Sequence, residues 1–583
     1  MAGPRHTAAR VPEGRAPMHP KGPGARRRFI RNLALAAVAV LTLPGCGEEQ
    51  KKNRDTLVIG MTQYPATLNP NIESMLAKTY VLAMANRPMT HVDADWNRIC
   101  VLCETLPTLK NGLAKPETLA NGKTGVAVTY TLRAGATWGD GVPVTTKDVA
   151  FTIEVGKHPA SGVADGELYR RILKLDIRDD KTFTLHMDRL TYDYNALDSL
   201  NLLPAHIERK NFADPKEYRL RTAFDTDSTN PGLYFGPYRI TEKHTGSRMV
   251  LETNPTWWGK KPAFRKVVIQ VIENTAAMEA NLLSGSIDYI AGELGLSLDQ
   301  GIAFAKRQGA NFDITFKPGL VYEHLDLNLE NPYLKDVRVR HALILALDRQ
   351  AITDKLFEGR QPVADSFVNP LDTIHAKDTP RYTHDLKRAD ALLNAAGWSR
   401  RGTDGIRLNA AGERLSLELM TTAGNRSREL VQQVLQSQWR EAGVEIRIRN
   451  EPARVFFGET VTKRRFTGMA MFAWLSAPES VPRLMLHSDH ITTAANNWSG
   501  QNYTAYANPE VDKLIDAIET ELDRGKRRIL WAQLQKIYAE DLPVIPLFFR
   551  ADTFIVPKWL RGVRPTGHQD PTTYWIEKWH FAP

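Results

Sequence analysis

The sequence predicts an α/β protein in which mixed sheets are flanked by helices, and three stretches carry that expectation. "TLVIGM" (56–61) is a compact apolar run bounded by polar residues, the pattern of a buried strand. Val126, Val128, Tyr130 and Leu132 alternate with polar or small residues after the turn signal Asn121-Gly122, which predicts a half-buried strand leaving a hairpin. Val431, Val434, Leu435 and Trp439 keep a helical period that stops at Gly443, and "VEIRIRN" then sets Val444, Ile446 and Ile448 on one face. Helix-then-strand units of this kind build an α/β layer.

The chain opens on a different kind of segment. Leu33 to Leu43 is an apolar run of 11 residues, too short for a membrane-spanning helix of about 20 residues but suited to the core of a signal peptide. "ARRRFIRN" precedes it, which fits a twin-arginine leader, with a basic Sec leader as the alternative. Gly45 before Cys46 resembles a lipoprotein cleavage site, so residues 1–45 read as a signal peptide and Cys46 as the lipidated new N-terminus. Met18 offers a second start ahead of the arginines. The leader holds +7 of the formal net charge of +10, so the remainder carries about +3 and no nucleic-acid partner is implied.

Beyond the leader the elements follow in order. "TLVIGM" ends at the loop "TQYPATLNP", and a first strand delivering a loop is a common way to present a ligand-facing edge. Cys100 and Cys103 have C-x-x-C spacing, which in an oxidising compartment reads most simply as a local disulfide; a reduced pair and a redox or metal role are the alternatives. Asp140-Gly141 with Pro143 makes a turn, and "TTKDVAFT" starts a helix with Thr145 or Thr146 as its cap. "KVVIQVIE" (266–273) predicts another strand. Val339, Ala342, Leu343 and Ala346 form a core-facing helix stripe, as do Val511, Leu514, Ile515 and Ile518 behind the cap Asn508 and Pro509. The arginines of "DVRVRHALILALDR" are expected on the solvated side of their helix.

Several of these stretches together resemble the extracellular solute-binding proteins of ABC importers, family 5, which includes dipeptide-, oligopeptide- and nickel-binding members. The carriers are "LVIGMTQYPATLNP", "LRAGATWGDGVPVTTKDVAFT", "FGPYRI", "NPTWWGKKPAFRKV", "LLSGSIDYI", "YEHLDLNLENPYLKDVRVRHALILALDRQAI", "ADALLNAAGW", "YANPEVDKLI" and "LPVIPLFF", in the family's order from about residue 56 onward. The resemblance implies a two-lobed periplasmic-binding-protein clamp of type II with an extra inserted subdomain. Lobe I would combine 46–90, 204–317 and 547–583, the inserted subdomain 91–203, and lobe II 318–546. Two crossovers, near "GLVYEHLDLN" and "DLPVIPLFF", would form the hinge.

The same likeness implies the ligand-facing positions. Tyr64, Pro65, Ala66 and Thr67 fit the first ligand-facing loop, Tyr322, Glu323 and His324 the hinge strand, and "NNWSGQNY" brings Trp498, Gln501 and Tyr503. Aromatic rings suit this role because they bury large area with little entropy to lose. Peptide-binding relatives pair the ligand's ammonium with an aspartate soon after a tryptophan. Here "MFAWLSAPESVPRL" supplies Trp474 but no aspartate at that distance, leaving Glu479 as the candidate partner. Peptide is the first expectation for the solute, a non-peptide organic ligand the second and a metal chelate the third.

The expected partners are the permease and ATPase subunits of an importer and a membrane reached through Cys46, with the chain itself a monomer in the periplasm. Gly47 leans the anchor toward the outer membrane by likeness to enteric lipoproteins. No cofactor or bound metal is called for, since His487, Asp489 and His490 in "LHSDHI" match no strong metal spacing. An enzyme is not expected. The sequence lacks the G-x-S-x-G of an α/β-hydrolase, and "ETLANGKT" has Glu117 where a phosphate-binding loop needs glycine. A ligand-sensing lipoprotein of the same fold is the alternative to an importer component.

Overall fold

The computed structural model describes residues 55–582 apart from 73–74, 165, 453–454, 497, 499 and 569. The leader and Cys46 therefore lie outside the described residues. In chain order the strands of its two large sheets are β1 (Thr56–Met61), β2 (Ala114–Thr118), β3 (Thr124–Thr131), β4 (Ile172–Ile177), β5 (Thr182–Met187), β6 (Tyr238–His244) and β7 (Arg248–Thr253). They continue with β8 (Lys266–Val271), β9 (Tyr289–Ile290), β10 (Phe312–Leu327), β11 (Ser416–Met420), β12 (Glu445–Ile448), β13 (Met469–Trp474) and β14 (Val544–Pro557).

Ten strands form one mixed sheet in the order β12-β11-β13-β10-β14-β9-β1-β8-β7-β6, and β2-β3-β5-β4 form a second. The first sheet has two parallel nuclei, β1 with β8 and β9, and β11 with β12 and β13. Among the described strands, only β10 and β14 join them. These strands are 16 and 14 residues long and run antiparallel from Phe312 opposite Pro557 to Asp326 opposite Val544. The pairing skips register between Pro318 and Tyr322, where two crossing strands absorb a bend between two lobes. In that gap the Leu320 amide donates to the Gly567 carbonyl at 2.7 Å, and a Cβ on Gly319 would stand 2.8 Å from the same oxygen.

Each nucleus has its own core. Leu57, Ile59, Tyr80, Leu251, Val267 and Ile269 pack with Trp579 around β1, whereas Leu325, Leu343, Leu417, Leu435, Trp439 and Ile545 pack around β11. Val126, Tyr130, Trp138, Phe183 and Leu185 form a third core on the four-stranded sheet. The hairpin at Asn121-Gly122 joins β2 to β3, with Gly122 at φ +78°. The helix Arg426–Glu441 ends before Gly443 at φ +80°, as a left-handed stop requires. Val444 and Ile446 are then buried, but Ile448 is 37% exposed because β12 is the edge of its sheet.

Two of the expected surface arginines are not on the surface. Arg338 is exposed and paired with Asp336, but Arg340 and Arg349 are buried. Arg340 donates to the carbonyls of Leu334 at 2.8 Å, Lys335 at 2.9 Å and Asp541 at 2.9 Å. Arg349 donates to the carbonyls of Ala364, Pro546 and Tyr382 and pairs with Asp365. Five donors in a fixed fork let a guanidinium satisfy several loop carbonyls at once, which explains the burial.

The helix Thr146–Lys157 is capped by Thr145, whose Oγ1 accepts from the Lys147 amide while Asp148 reaches back to the Thr145 amide at 2.8 Å. Thr145→Ala should lower the unfolding free energy by about 1 kcal/mol, read from a denaturant melt.

Candidate functional site

Alternation along β10 sends Tyr322, His324 and Asp326 to one face of the sheet and Glu323 to the other. Both faces open onto cavities at the crossing strands.

On the first face four rings lie nearly parallel. Tyr322 and His324 are 5.0 Å apart at 12°, His324 and Trp474 6.4 Å at 12°, and Trp474 and Tyr503 5.9 Å at 24°. The register places Trp474 opposite Tyr322, and Phe472 meets His324 edge-on at 4.6 Å. His324 is fixed by its Nδ1 at 3.1 Å from the Tyr322 carbonyl and its Nε2 at 3.2 Å from Asp326. The Tyr322 hydroxyl meets that of Tyr538 at 3.0 Å. Tyr322, His324 and Trp474 wall a slot of about 40 Å³, closed by Phe367, Gln501 and Val544. Such a wall suits a flat or apolar group.

On the second face Glu323 is buried between two arginines, with Nε of Arg428 at 2.7 Å and Nε of Arg550 at 2.7 Å. Burial opposes its charge, but Arg550 and Arg428 outweigh it and hold the carboxyl down at about 2. They border a cavity of about 390 Å³ that joins segments from both nuclei. Thr62 and Gln63 come from the end of β1, Glu293 to Leu298 follow β9, Asn425 to Arg428 start a helix, and Arg550 and Asp552 come from β14. Burial pushes Asp552 up to about 6 against the pull of Arg550. It likewise pushes Glu293 up to about 7, although the Thr572 amide donates to Glu293 at 2.7 Å.

The remaining expected positions divide. Gln501 lines the aromatic slot, and Tyr503 backs Trp474. Thr62 and Gln63 reach the charged cavity, but Tyr64, Pro65, Ala66 and Thr67 line neither one. Tyr64 packs against the β1 core, Pro65 is buried, the Ala66 amide faces the Met75 sulfur at 3.4 Å, and Thr67 donates to Asp225 at 2.5 Å. Trp498 also lines neither cavity; its amide donates to the Thr493 carbonyl at 2.8 Å. Glu479 turns away from the slot. Arg524 at 2.6 Å and Arg527 at 3.1 Å take its carboxylate, and their hydrogen bonds overcome burial to lower its pKa. Beside it the Tyr192 hydroxyl donates to the Glu479 carbonyl at 2.5 Å, the Tyr192 amide donates to the Glu519 carbonyl at 2.9 Å, and Arg527 lies 4.3 Å over the Tyr192 ring.

Cys100 and Cys103 are joined as a disulfide, their Cα atoms 5.3 Å apart. The Nδ1 atom of His487 stands 3.8 Å from Asp489 and 3.9 Å from Asp512, and among the described residues no cluster could hold a metal ion. Nor is any described helix long and apolar enough to cross a membrane. Sequence reasoning missed Arg428, Arg550, Glu293 and Asp552. The available signal was charge set against apolar context, as in "VIPLFFRAD", where Arg550 and Asp552 sit inside a strand.

A model of the bacterial extracellular solute-binding proteins, family 5 Middle, matches residues 108–495. The oligopeptide-binding protein AppA of Bacillus subtilis is 27% identical over 576 residues, covering 96% of this chain and 99% of AppA. An oligopeptide-binding protein from Thermus thermophilus, solved with a pentapeptide, superposes with a TM-score of 0.75 at 29% identity, covering 91% of this chain and 96% of that one. NikZ from Campylobacter jejuni, solved with Ni(L-His), shares the fold at 22% identity and a TM-score of 0.73, covering 90% of this chain and 99% of its own. With a two-lobed clamp, cavities at its crossing strands and a family match over most of its length, this chain belongs to the bacterial extracellular solute-binding proteins, family 5.

Proposed function

We propose that the chain captures a peptide between its lobes and delivers it to the permease of an ABC importer. The observation that carries this reading is the pairing of an aromatic slot with a charged cavity on the two faces of one crossing strand. A peptide offers both a hydrogen-bonding backbone and alternating side chains to such a site. Relatives solved with a pentapeptide at 29% identity and a nonapeptide at 26% identity support the choice of solute class. In this reading Tyr322, His324 and Trp474, with Gln501, line an aromatic slot on one face of β10, and Thr62, Gln63, Arg428 and Arg550 line the separate charged cavity on the other. The lobes follow 46–90, 204–317 and 547–583 against 318–546, with 91–203 inserted, and Cys46 tethers the clamp to a membrane after a leader is removed. Closing is a population shift, bounded by the solute's preference for the closed form.

A second reading has its own support. Glu479 is already matched by Arg524 and Arg527, and the stretch Leu475 to Pro478 holds no acid, which favours a solute without a free ammonium at that end. Thermal melts of protein stripped by unfolding and refolding separate the two. At about 100 times its dissociation constant a true ligand stabilises by about 2.7 kcal/mol. Stabilisation by free peptides supports the first reading. Stabilisation only by amino-blocked peptides or non-peptide solutes replaces it with the second.

A further inference from the structure

The cavity on the Glu323 face holds an uneven set of charges. Three carboxylates, those of Glu293, Glu323 and Asp552, face it against two guanidiniums, and both guanidiniums are spent on Glu323. The Asp552 side chain makes no hydrogen bond or ion pair among the described residues, although it sits half-buried inside β14 and lines the cavity. The Oε2 atom of Glu293 is buried without a hydrogen-bond partner, while its Oε1 accepts from the Thr572 amide. Buried acceptors without donors cost stability, so they mark a place that a donor completes.

The competing occupant would be an anion drawn by helix N-termini. Both helices that start at the cavity are already capped, Leu298–Gln308 by Ser297 with Gln300 and Arg426–Glu441 by the Asn425 side chain. In each, one end amide is already taken, that of Ser297 by Gln300 and that of Arg428 by Asn425.

We infer that this cavity receives a cationic group of the captured solute, an ammonium or a guanidinium, between the carboxylates of Glu293 and Asp552. The inference rests on the reading of the chain as a peptide-binding clamp and names the kind of peptide it selects, one with a basic residue. Glu293 follows β9, and Asp552 stands on β14 opposite Lys317, so a cation held by both sits on the lobe I side of the crossing strands. The charged groups around the site are Arg550, Arg428 and Glu323, with the Tyr80 and Tyr289 hydroxyls behind Glu293. Both acids are raised by burial, so a bound cation drives them to ionise and releases protons. Affinity for the cation should rise with pH between about 5 and 8.

The test uses tri- to pentapeptides in matched pairs that differ by lysine or norleucine at one position, titrated calorimetrically into stripped protein at pH 5 and pH 8. At pH 8 one lysine peptide should bind at least tenfold tighter than its norleucine twin, with proton release visible as a dependence on buffer ionisation heat. The lysine-to-norleucine ratio should shrink at pH 5 and fall toward unity in Asp552→Asn. If that variant does not fold, Glu293→Gln should reduce the ratio in the same direction. Equal affinities across all wild-type pairs would overturn the inference and leave the peptide reading standing. Stabilisation by agmatine with no response to any peptide would do the reverse, and no response to either would remove both.

Discussion

Glu323→Ala lowers the free energy of unfolding by about 3 kcal/mol in a denaturant melt at neutral pH, the lower part of the range for a buried ion pair that loses one partner. The carboxylate is 1% exposed and is shared by Arg428 and Arg550, so its removal leaves two like charges facing each other. Arg550 keeps a side-chain exposure of 34% and can turn toward cavity water, which limits the loss. The double variant Glu323→Ala, Arg428→Ala should recover part of the stability, because uncompensated charge makes up most of the cost. The carboxyl is held at about 2 in the folded chain against an ordinary 4.5. Its charge therefore stabilises fully above about pH 4.5, and that contribution is lost as pH falls through about 2. The gap between wild type and variant should close over this window; a gap independent of pH would mean that packing, not charge, is lost.

Trp474→Ala weakens binding of the captured solute by about 30-fold, or about 2 kcal/mol, as expected for an aromatic anchor in a packed slot. The ring stands third in a stack of four, so its loss removes one wall and also frees His324 and Tyr503 on either side. Trp474→Phe should restore a large part of the affinity by keeping a flat wall. Trp498→Ala should change affinity less than threefold, since Trp498 lines neither cavity. Titration calorimetry decides it, and a larger loss at Trp498 than at Trp474 would mean that the aromatic slot is not where the solute lies.

Local pattern made much of the scaffold legible. Strand β1, the hairpin into β3, the helix from Pro509 to Thr520 and the stop at Gly443 each follow from period, cap or turn chemistry within a few residues. Strand β10 did not yield to the same rules. Its sequence carries Pro318 and Gly319 at the centre, which local propensity treats as a break, and only the lost register between the two halves lets one strand pass through. The arginines failed for another reason. Position in a helical period does not reveal that Arg340 will meet the carbonyl of Asp541, 201 residues away. Likewise, the cations that take up Glu479 stand 45 and 48 residues further on, and the charged cavity is assembled from seven separated segments. Residue type and local spacing identify elements and aromatic candidates; partnerships at long range have to be seen.

The route of β14 bears on the order in which the molecule is made. Residues 544–557 pair with β9 in one half and run beside β10 through both, and Trp579 fills the core around β1. A ribosome delivers these residues after every other strand of the main sheet. Until then β9 has no neighbour on that side, β10 lacks its longest partner, and the first core has a vacancy the size of an indole. Both cores include residues of this late segment, Ile545, Leu547 and Phe548 in one and Ile576 and Trp579 in the other, so the final packing of each half depends on it.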